Sequence, residues 1–495
     1  MDNVNDDNGQ VLIGVGPPLR LSDLPSPLSS LIGLIKIIGP SVIVLGMGIG
    51  AGEWLLAPAA TVKYGVGILW IATIAIIIQT LAFLEAVRYT IYTGEPLTTG
   101  IMRLWPGPKF WGFILLVLLV LSLGWPVWAF GAATAIIAAY MGRLPGPQDA
   151  NLILISGFIL SVLIILILSF GGKVVRVLEV FQLFMMIFVL VVMVLLVFTI
   201  VPKVSLINVI KGFISFGQIQ SSDLLGAALL LGAVAGYAGA GAFANTVISS
   251  YYRDKGLGMG AYVGSITTIV GGSKINLSPN GVAFKITDDN LRRWRAWRNI
   301  ALIDIIGIFT LGSFLGILLP VALAITLLPQ GEDIGGWAVA VYQGEALKTI
   351  YGSTGWAIIL VVGFWVLYST QLGLTELVVR TATDILWTMS SKIRELTRND
   401  VRKVYYTLLA FMTLWIITSY ILFYILKINP LLASALVANM SNIVYPLTVL
   451  ANLYINIKYL PKEIKPSPII VAILLVGTIF WLTFFTLFLL SLVLK

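Results

Sequence analysis

Glu53 is where the chemistry of this sequence starts. It lies near the middle of an apolar stretch, and its nearest basic residues are Lys63, ten positions on, and Lys36, seventeen back. A carboxylate at membrane depth is costly and marks a functional position by default. With no local partner, Glu53 needs a bound cation, a proton or a polar group on another helix. A protonated structural glutamate or a distant ion pair are the plainer alternatives. The other acids in apolar stretches mostly have a base three or four residues away, the spacing that places two side chains on one helix face. Glu85 has Arg88, Glu179 has Arg176, and Glu376 has Arg380, with Asp384 four residues further. These read as structural pairs. Asp304, six residues past Arg298, stays ambiguous.

Glu53 lies in the run Gly46-Met47-Gly48-Ile49-Gly50-Ala51-Gly52-Glu53-Trp54, directly after four alternating glycines. Each glycine costs about 1 kcal/mol against alanine inside a helix, so the run favours a broken helix over close glycine packing. Unwound backbone at membrane depth must be buried or line a cavity, where its carbonyls can hold a cation. A second interruption, Gly236 to Thr246, contains Gly239, Gly241 and Asn245. The candidate binding set is therefore Gly50, Gly52, Glu53, Gly239, Gly241 and Asn245. Gln371 with Thr375, and Asn439, Ser441 and Asn442, are polar groups in apolar stretches; they either bond neighbouring helices or line a pathway. Trp125-Pro126-Val127-Trp128 predicts a proline kink with a packing role.

The elements that carry these residues are transmembrane helices. The chain has 495 residues, 59% hydrophobic and 11% charged, with no Cys and no His. Its mean hydropathy is +0.99. That composition excludes a soluble enzyme, a disordered chain and a nucleic-acid reader, as well as disulfides, thiolate catalysis and Cys or His metal sites. Eleven stretches reach the ~20 residues that span a bilayer: 37–62, 66–91, 110–141, 150–170, 174–201, 224–250, 299–328, 355–385, 404–426, 430–456 and 467–494. They are numbered spans 1 to 11. Of the 31 Lys and Arg, 24 fall on the side of the N-terminus, which places that end in the cytoplasm and the C-terminus outside. The net charge of +9 thus reports topology. Arg292, Arg293, Trp294, Arg295, Trp297 and Arg298, in the long loop before span 7, suit anchoring in the headgroup region. Spans 1 and 6 start five spans apart, an odd number, so spans 1–5 and 6–10 form inverted repeats with the interrupted helices in equivalent places, a pointer to a transporter site. The expected organisation is a mobile cytoplasmic tail (1–30), a first five-helix repeat (31–201), a second (202–460) and an eleventh helix (461–495).

The segment from Gly39-Pro40-Ser41 to Gly94-Glu95 resembles the first two helices of the Nramp (natural resistance-associated macrophage protein) metal transporters. The shared features are the Gly-Pro start, the Gly-rich break, Tyr64-Gly65, Leu69-Trp70 and Thr93-Gly94-Glu95. In span 6 the stretch from Gly236 to Arg253 falls where that family has its second broken helix. The resemblance implies the all-α leucine-transporter fold of the APC superfamily, with spans 1 and 6 broken around a central site, and proton-linked uptake of a divalent metal. The site departs from the family. Gly50-Ala51-Gly52-Glu53 stands where the family has Asp-Pro-Gly-Asn, and Ala240 to Asn245 stands where it has Met-Pro-His.

The expectation is a divergent Nramp-related secondary transporter in the plasma membrane. A thioether favours softer metals. An all-oxygen site of Glu53, Asn245 and backbone carbonyls suits a hard divalent ion such as Mg²⁺, with proton coupling possible through Glu53. The alternative is a small organic solute, such as an amino acid, coupled to a cation. No enzymatic activity, resident cofactor, nucleic acid or obligate protein partner is expected. The partners are the bilayer and the transported ion or solute.

Overall fold

Apolar runs this long leave the backbone no option in hydrocarbon except helix, and helices are what form. The structure, a computed structural model, describes residues 39–170, 174–219, 221, 223–241, 243–264 and 280–494, with backbone alone at 51, 170 and 174–182. The expected tail over 1–30 and the pairing of Glu179 with Arg176 lie outside the described residues.

Ten helical stretches among the described residues are long and apolar enough to cross a membrane. They are Pro40–Tyr64, Val66–Thr93, Pro108–Met141, Pro147–Ser169, Leu183–Ile200, Asp288–Leu327, Gly344–Met389, Val401–Leu426, Pro430–Tyr459 and Pro468–Val493. Span 6 makes the remaining crossing as two shorter helices, Leu224–Tyr237 and Ala244–Asp254. Side-chain caps open several spans, as their sequences suggest. Asn429 accepts from the Leu432 amide at 2.8 Å, and Asp400 from the Arg402 amide at 3.1 Å. Span 1 is buried throughout its length, whereas spans 5, 9 and 11 present mostly exposed apolar surface. The glycine-rich helix is therefore at the centre of the bundle and the Leu- and Phe-rich ones face lipid.

Two expectations need correction. Span 3 is not merely kinked: its helix ends at Leu123 and restarts at Val127. Pro126 has no amide hydrogen to donate and disfavours helical backbone at the residue before it. The basic segment before span 7 is not a loop but helical from Asp288, and Trp294 and Trp297 are buried within the protein. Their spacing of three puts both indoles on one helix face, and the Arg88 guanidinium lies over Trp294 at 5.7 Å. The exposed residues of that helix include Arg292, Arg295 and Arg298.

Candidate functional site

Span 1 breaks where its glycines predict. The helix from Pro40 stops at Gly48, Ile49 turns out with ψ 52°, and Gly50 sits at φ −132°, ψ −95°. The chain then resumes through a wide π-helical turn, Ala51–Leu56, a form that clusters at functional positions. Span 6 unwinds after Tyr237, with Gly239 at φ +106° and Gly241 at φ +73°. Only glycine adopts such backbone without strain.

The two breaks touch. A Cβ on Gly48 would lie 2.1 Å from the Gly239 carbonyl oxygen, and one on Gly52 would lie 2.1 Å from the Tyr237 carbonyl oxygen. Within the alternating run, Gly48 and Gly52 are four apart, the spacing of close helix packing. The run thus serves both a break and a close approach. Gly50 faces span 8, where a Cβ would meet Thr370 Oγ1 at 2.1 Å.

An unwound segment inside a membrane protein needs partners for its free amides and carbonyls. The Gly239 amide donates to Glu53 Oε1 at 3.1 Å, and the Ala240 amide to Gln79 Oε1 at 3.1 Å. Gln79 Nε2 donates in turn to the Ala238 carbonyl at 2.6 Å. Glu53 from span 1 and Gln79 from span 2 therefore hold the span 6 break between them. Glu53 is fully buried, and its Oε2 has no hydrogen-bond partner.

Beside the breaks is a small, partly open cavity. Its wall is Met47, Gly48 and Gly52 of span 1; Leu123 and Trp128 of span 3; Tyr237, Ala240 and Gly241 of span 6; and Thr370 and Leu374 of span 8. The Trp128 indole nitrogen is buried without a partner, while the Tyr237 hydroxyl donates to the Ser122 carbonyl at 2.6 Å.

The expected site residues separate into two groups. Gly52 and Gly241 line the cavity, Gly50 abuts its Thr370 wall, and Glu53 and Gly239 are bonded to each other. Asn245 sits in the second half of span 6, where its Nδ2 donates to Thr448 Oγ1 at 2.9 Å and its Oδ1 is unpartnered. Among the described residues no hydrogen bond joins Asn245 to Glu53, and no group of three His, Cys, Asp or Glu could hold a metal. The proposed pathway amides join helices. Asn439 Nδ2 donates to the carbonyls of Leu229 and Ala435, and Asn442 Nδ2 to that of Gly232. Gln371 accepts from the Ala129 amide at 3.4 Å and donates to Thr375. The sequence reading missed Gln79, Trp128 and Thr370 as site residues. Gln79 is a lone amide in an Ile-rich helix and was visible as such; Thr370 is the neighbour of a residue that was singled out.

Of the other acids in the spans, Glu85, Glu376 and Asp384 form ion pairs. Glu85 pairs with Arg88 at 2.8 Å. Arg380 pairs with Glu376 and also with Asp254. Asp384 bonds both arms of Arg253, at 2.8 and 3.1 Å, rather than its near neighbour Arg380. This buried network ties the second helix of span 6 to span 8.

An all-helical membrane bundle whose two broken spans face one cavity is the architecture of the leucine-transporter fold. Solved structures agree at the level of fold. A point mutant of the manganese transporter of Eremococcus coleocola superposes with a TM-score of 0.60 and 16% identity, covering 96% of this chain and 90% of that one. Mhp1, a nucleobase-cation-symport-1 family transporter in a closed conformation with bromovinylhydantoin bound, gives a TM-score of 0.50 at 13% identity, covering 92% and 91%. No protein-family model matches the sequence, and no curated protein does. The chain is a multi-pass integral membrane protein, similar in fold to a manganese transporter and to a nucleobase-cation-symport-1 family transporter.

Proposed function

We propose that the chain is a secondary transporter whose cargo is a small organic solute of mixed polarity, moved together with a cation. The carrying observation is the chemistry of the cavity wall. Met47, Leu123, Trp128, Tyr237 and Leu374 make most of it apolar or aromatic, and Thr370 and the backbone of the two breaks supply the polar groups. Small-molecule sites are built this way, from apolar and aromatic walls with a few placed polar groups. A hard divalent ion needs about six oxygen ligands, and the wall offers no carboxylate.

A thermal-stability screen of the purified protein against amino acids, other small metabolites, MgCl₂ and MnCl₂ tests this, followed by uptake into proteoliposomes. Stabilisation by an organic solute is expected. Trp128→Phe, which removes an indole hydrogen aimed at nothing in the protein, is expected to weaken that binding about fivefold, the worth of one net hydrogen bond of about 1 kcal/mol. Saturable stabilisation by either metal with none by any organic solute overturns the reading.

A second reading rests on a different observation. Glu53 Oε2 and Asn245 Oδ1 are both buried and unpartnered, so a movement that brought them together would make part of an oxygen site for a divalent ion. The Nramp-like segment from Gly39 to Glu95 supports relationship to that family, and with it this reading. Under it, Glu53→Gln abolishes metal-dependent stabilisation and uptake.

A further inference from the structure

The ambiguous acid of the sequence has no base bonded to it. Asp304 is 1% exposed and sits where span 7 passes into a π-helical turn, Ile305–Thr310. Three donors converge on one of its oxygens. The Ser41 hydroxyl donates to Oδ2 at 2.8 Å, the Ser41 amide at 3.3 Å, and the Tyr252 hydroxyl at 2.8 Å. Its other oxygen, Oδ1, is buried with no hydrogen-bond partner. The donors come from two separate elements: Ser41 from the start of span 1, ahead of its break, and Tyr252 from the second helix of span 6, after its break.

We propose that Asp304 is a proton-binding site whose ionisation state sets how firmly the first half of span 1 is held against spans 6 and 7. This rests on the reading of the chain as a cation-coupled transporter and names the coupling ion as a proton. The charged carboxylate takes three charge-assisted bonds, which are roughly twice as strong as neutral ones, and so clasps span 1. A proton added at Oδ1 neutralises the group and leaves Oδ2 a weaker acceptor for the same three donors. The clasp loosens, and the helix Pro40–Gly48, which ends at the cavity, is free to move. One carboxylate and two hydroxyls whose hydrogens already point at Oδ2 are too few ligands for a metal ion, whereas a bare carboxylate oxygen suffices for a proton.

The charges around the site are consistent with a single titrating group. The field of Lys255, whose ammonium lies against Gly39, reaches Asp304 from the span 6 side. On span 2, which packs on span 7 through Phe83 and Phe309 at 4.5 Å, Glu85 and Arg88 neutralise each other. Tyr252 contributes a hydroxyl that stays protonated while it donates to the carboxylate.

Hydrogen–deuterium exchange of residues 40–48 in the purified protein, corrected for the intrinsic pH dependence of amide exchange, tests the clasp without reference to any solute. In the wild type, protection of this segment is expected to fall about tenfold between neutral and acidic pH, the weight of about 1.4 kcal/mol of weakened charge-assisted bonding. Asp304→Asn, which fixes the neutral form, is expected to show the low protection at every pH. Ser41→Ala removes one of the charge-assisted donors but keeps the titrating group, so it should lower protection most at neutral pH and leave a smaller pH response. A wild-type pH response in Asp304→Asn, or no response in the wild type, overturns the proposal. Loss of proton-driven uptake without these changes would point to the transport cycle and leave no role for this clasp.

Discussion

Replacing Gly52 by alanine tests whether the contact between the two breaks holds the site together. The new Cβ would stand 2.1 Å from the Tyr237 carbonyl oxygen and 2.7 Å from its carbon, where ordinary contact begins at 3.4 Å. Both obstructing atoms are backbone, so no rotamer relieves the clash. The span 6 break must withdraw by about 1.3 Å, the difference between those distances. A withdrawal of that size along the same direction would stretch the bond from the Gly239 amide to Glu53, now 3.1 Å, to about 4.4 Å, beyond hydrogen-bond range. Overpacking of this kind costs about 1–3 kcal/mol, and a buried amide left without an acceptor about 1–3 kcal/mol more. Against this, alanine gains up to about 1 kcal/mol of helix propensity. The net expectation is a loss of about 1–6 kcal/mol, with solute binding weakened because Gly52 and Tyr237 share the cavity wall. Reversible denaturant unfolding in micelles reads the stability, and ligand-induced stabilisation reads the binding. Gly307→Ala is the control: a Cβ there meets nothing within 4 Å, so it should be neutral or slightly stabilising. If Gly52→Ala matches Gly307→Ala in both measurements, the breaks do not depend on this contact and the reasoning fails.

The buried network between spans 6 and 8 gives a second test. Arg253→Met strands Asp384, which is 2% exposed, and should cost about 3–5 kcal/mol in the same unfolding assay. The double change Arg253→Met with Asp384→Leu should recover most of that; no recovery would mean that the pair is not the source of the loss. A third concerns pH at the start of span 9. The Arg402 side chain, bonded at 2.8 Å, holds the Asp400 carboxyl below its ordinary range. A lowered carboxyl stabilises the fold at neutral pH, and that contribution fades as pH falls through the depressed range. Asp400→Ala is therefore expected to cost about 1 kcal/mol as a lost helix cap near pH 7, and to differ less from wild type in acid. A cost that stays constant with pH would contradict the ion pair as its origin.

The spans and both breaks were legible because each rests on a local rule. About 20 apolar residues make a crossing, and Gly46 to Gly52 cannot make an uninterrupted helix without cost. What the sequence hid is partner choice over long separations. The three-or-four spacing rule pairs Glu85 with Arg88 correctly, yet it points Asp384 to Arg380, whereas its partner is Arg253, 131 residues away. Gln79 meets the span 6 break across 159 and 161 residues, and a lone amide in an apolar helix carries no mark of where it bonds. Trp294 and Trp297 carry the composition of a membrane-surface belt and are buried, because the helix of span 7 begins eleven residues before the apolar run does.

Glu53 shows the limit most clearly. Counting charges isolates it as the acid without a base, and the natural inference is a cation. Its bonded partner is a neutral backbone amide. An amide within a regular helix donates to its own helix, so it is free to meet a side chain from elsewhere only where that helix is interrupted. The unpaired acid of span 1 and the glycines of span 6 are therefore one feature seen from two sides: the break in span 6 supplies the donor that lets the carboxylate remain buried, and the carboxylate satisfies an amide that the break exposes. Only one of its two oxygens is used in this way. The other oxygen is buried without a hydrogen-bond partner, so one residue both closes the span 6 break and leaves an acceptor unsatisfied beside it.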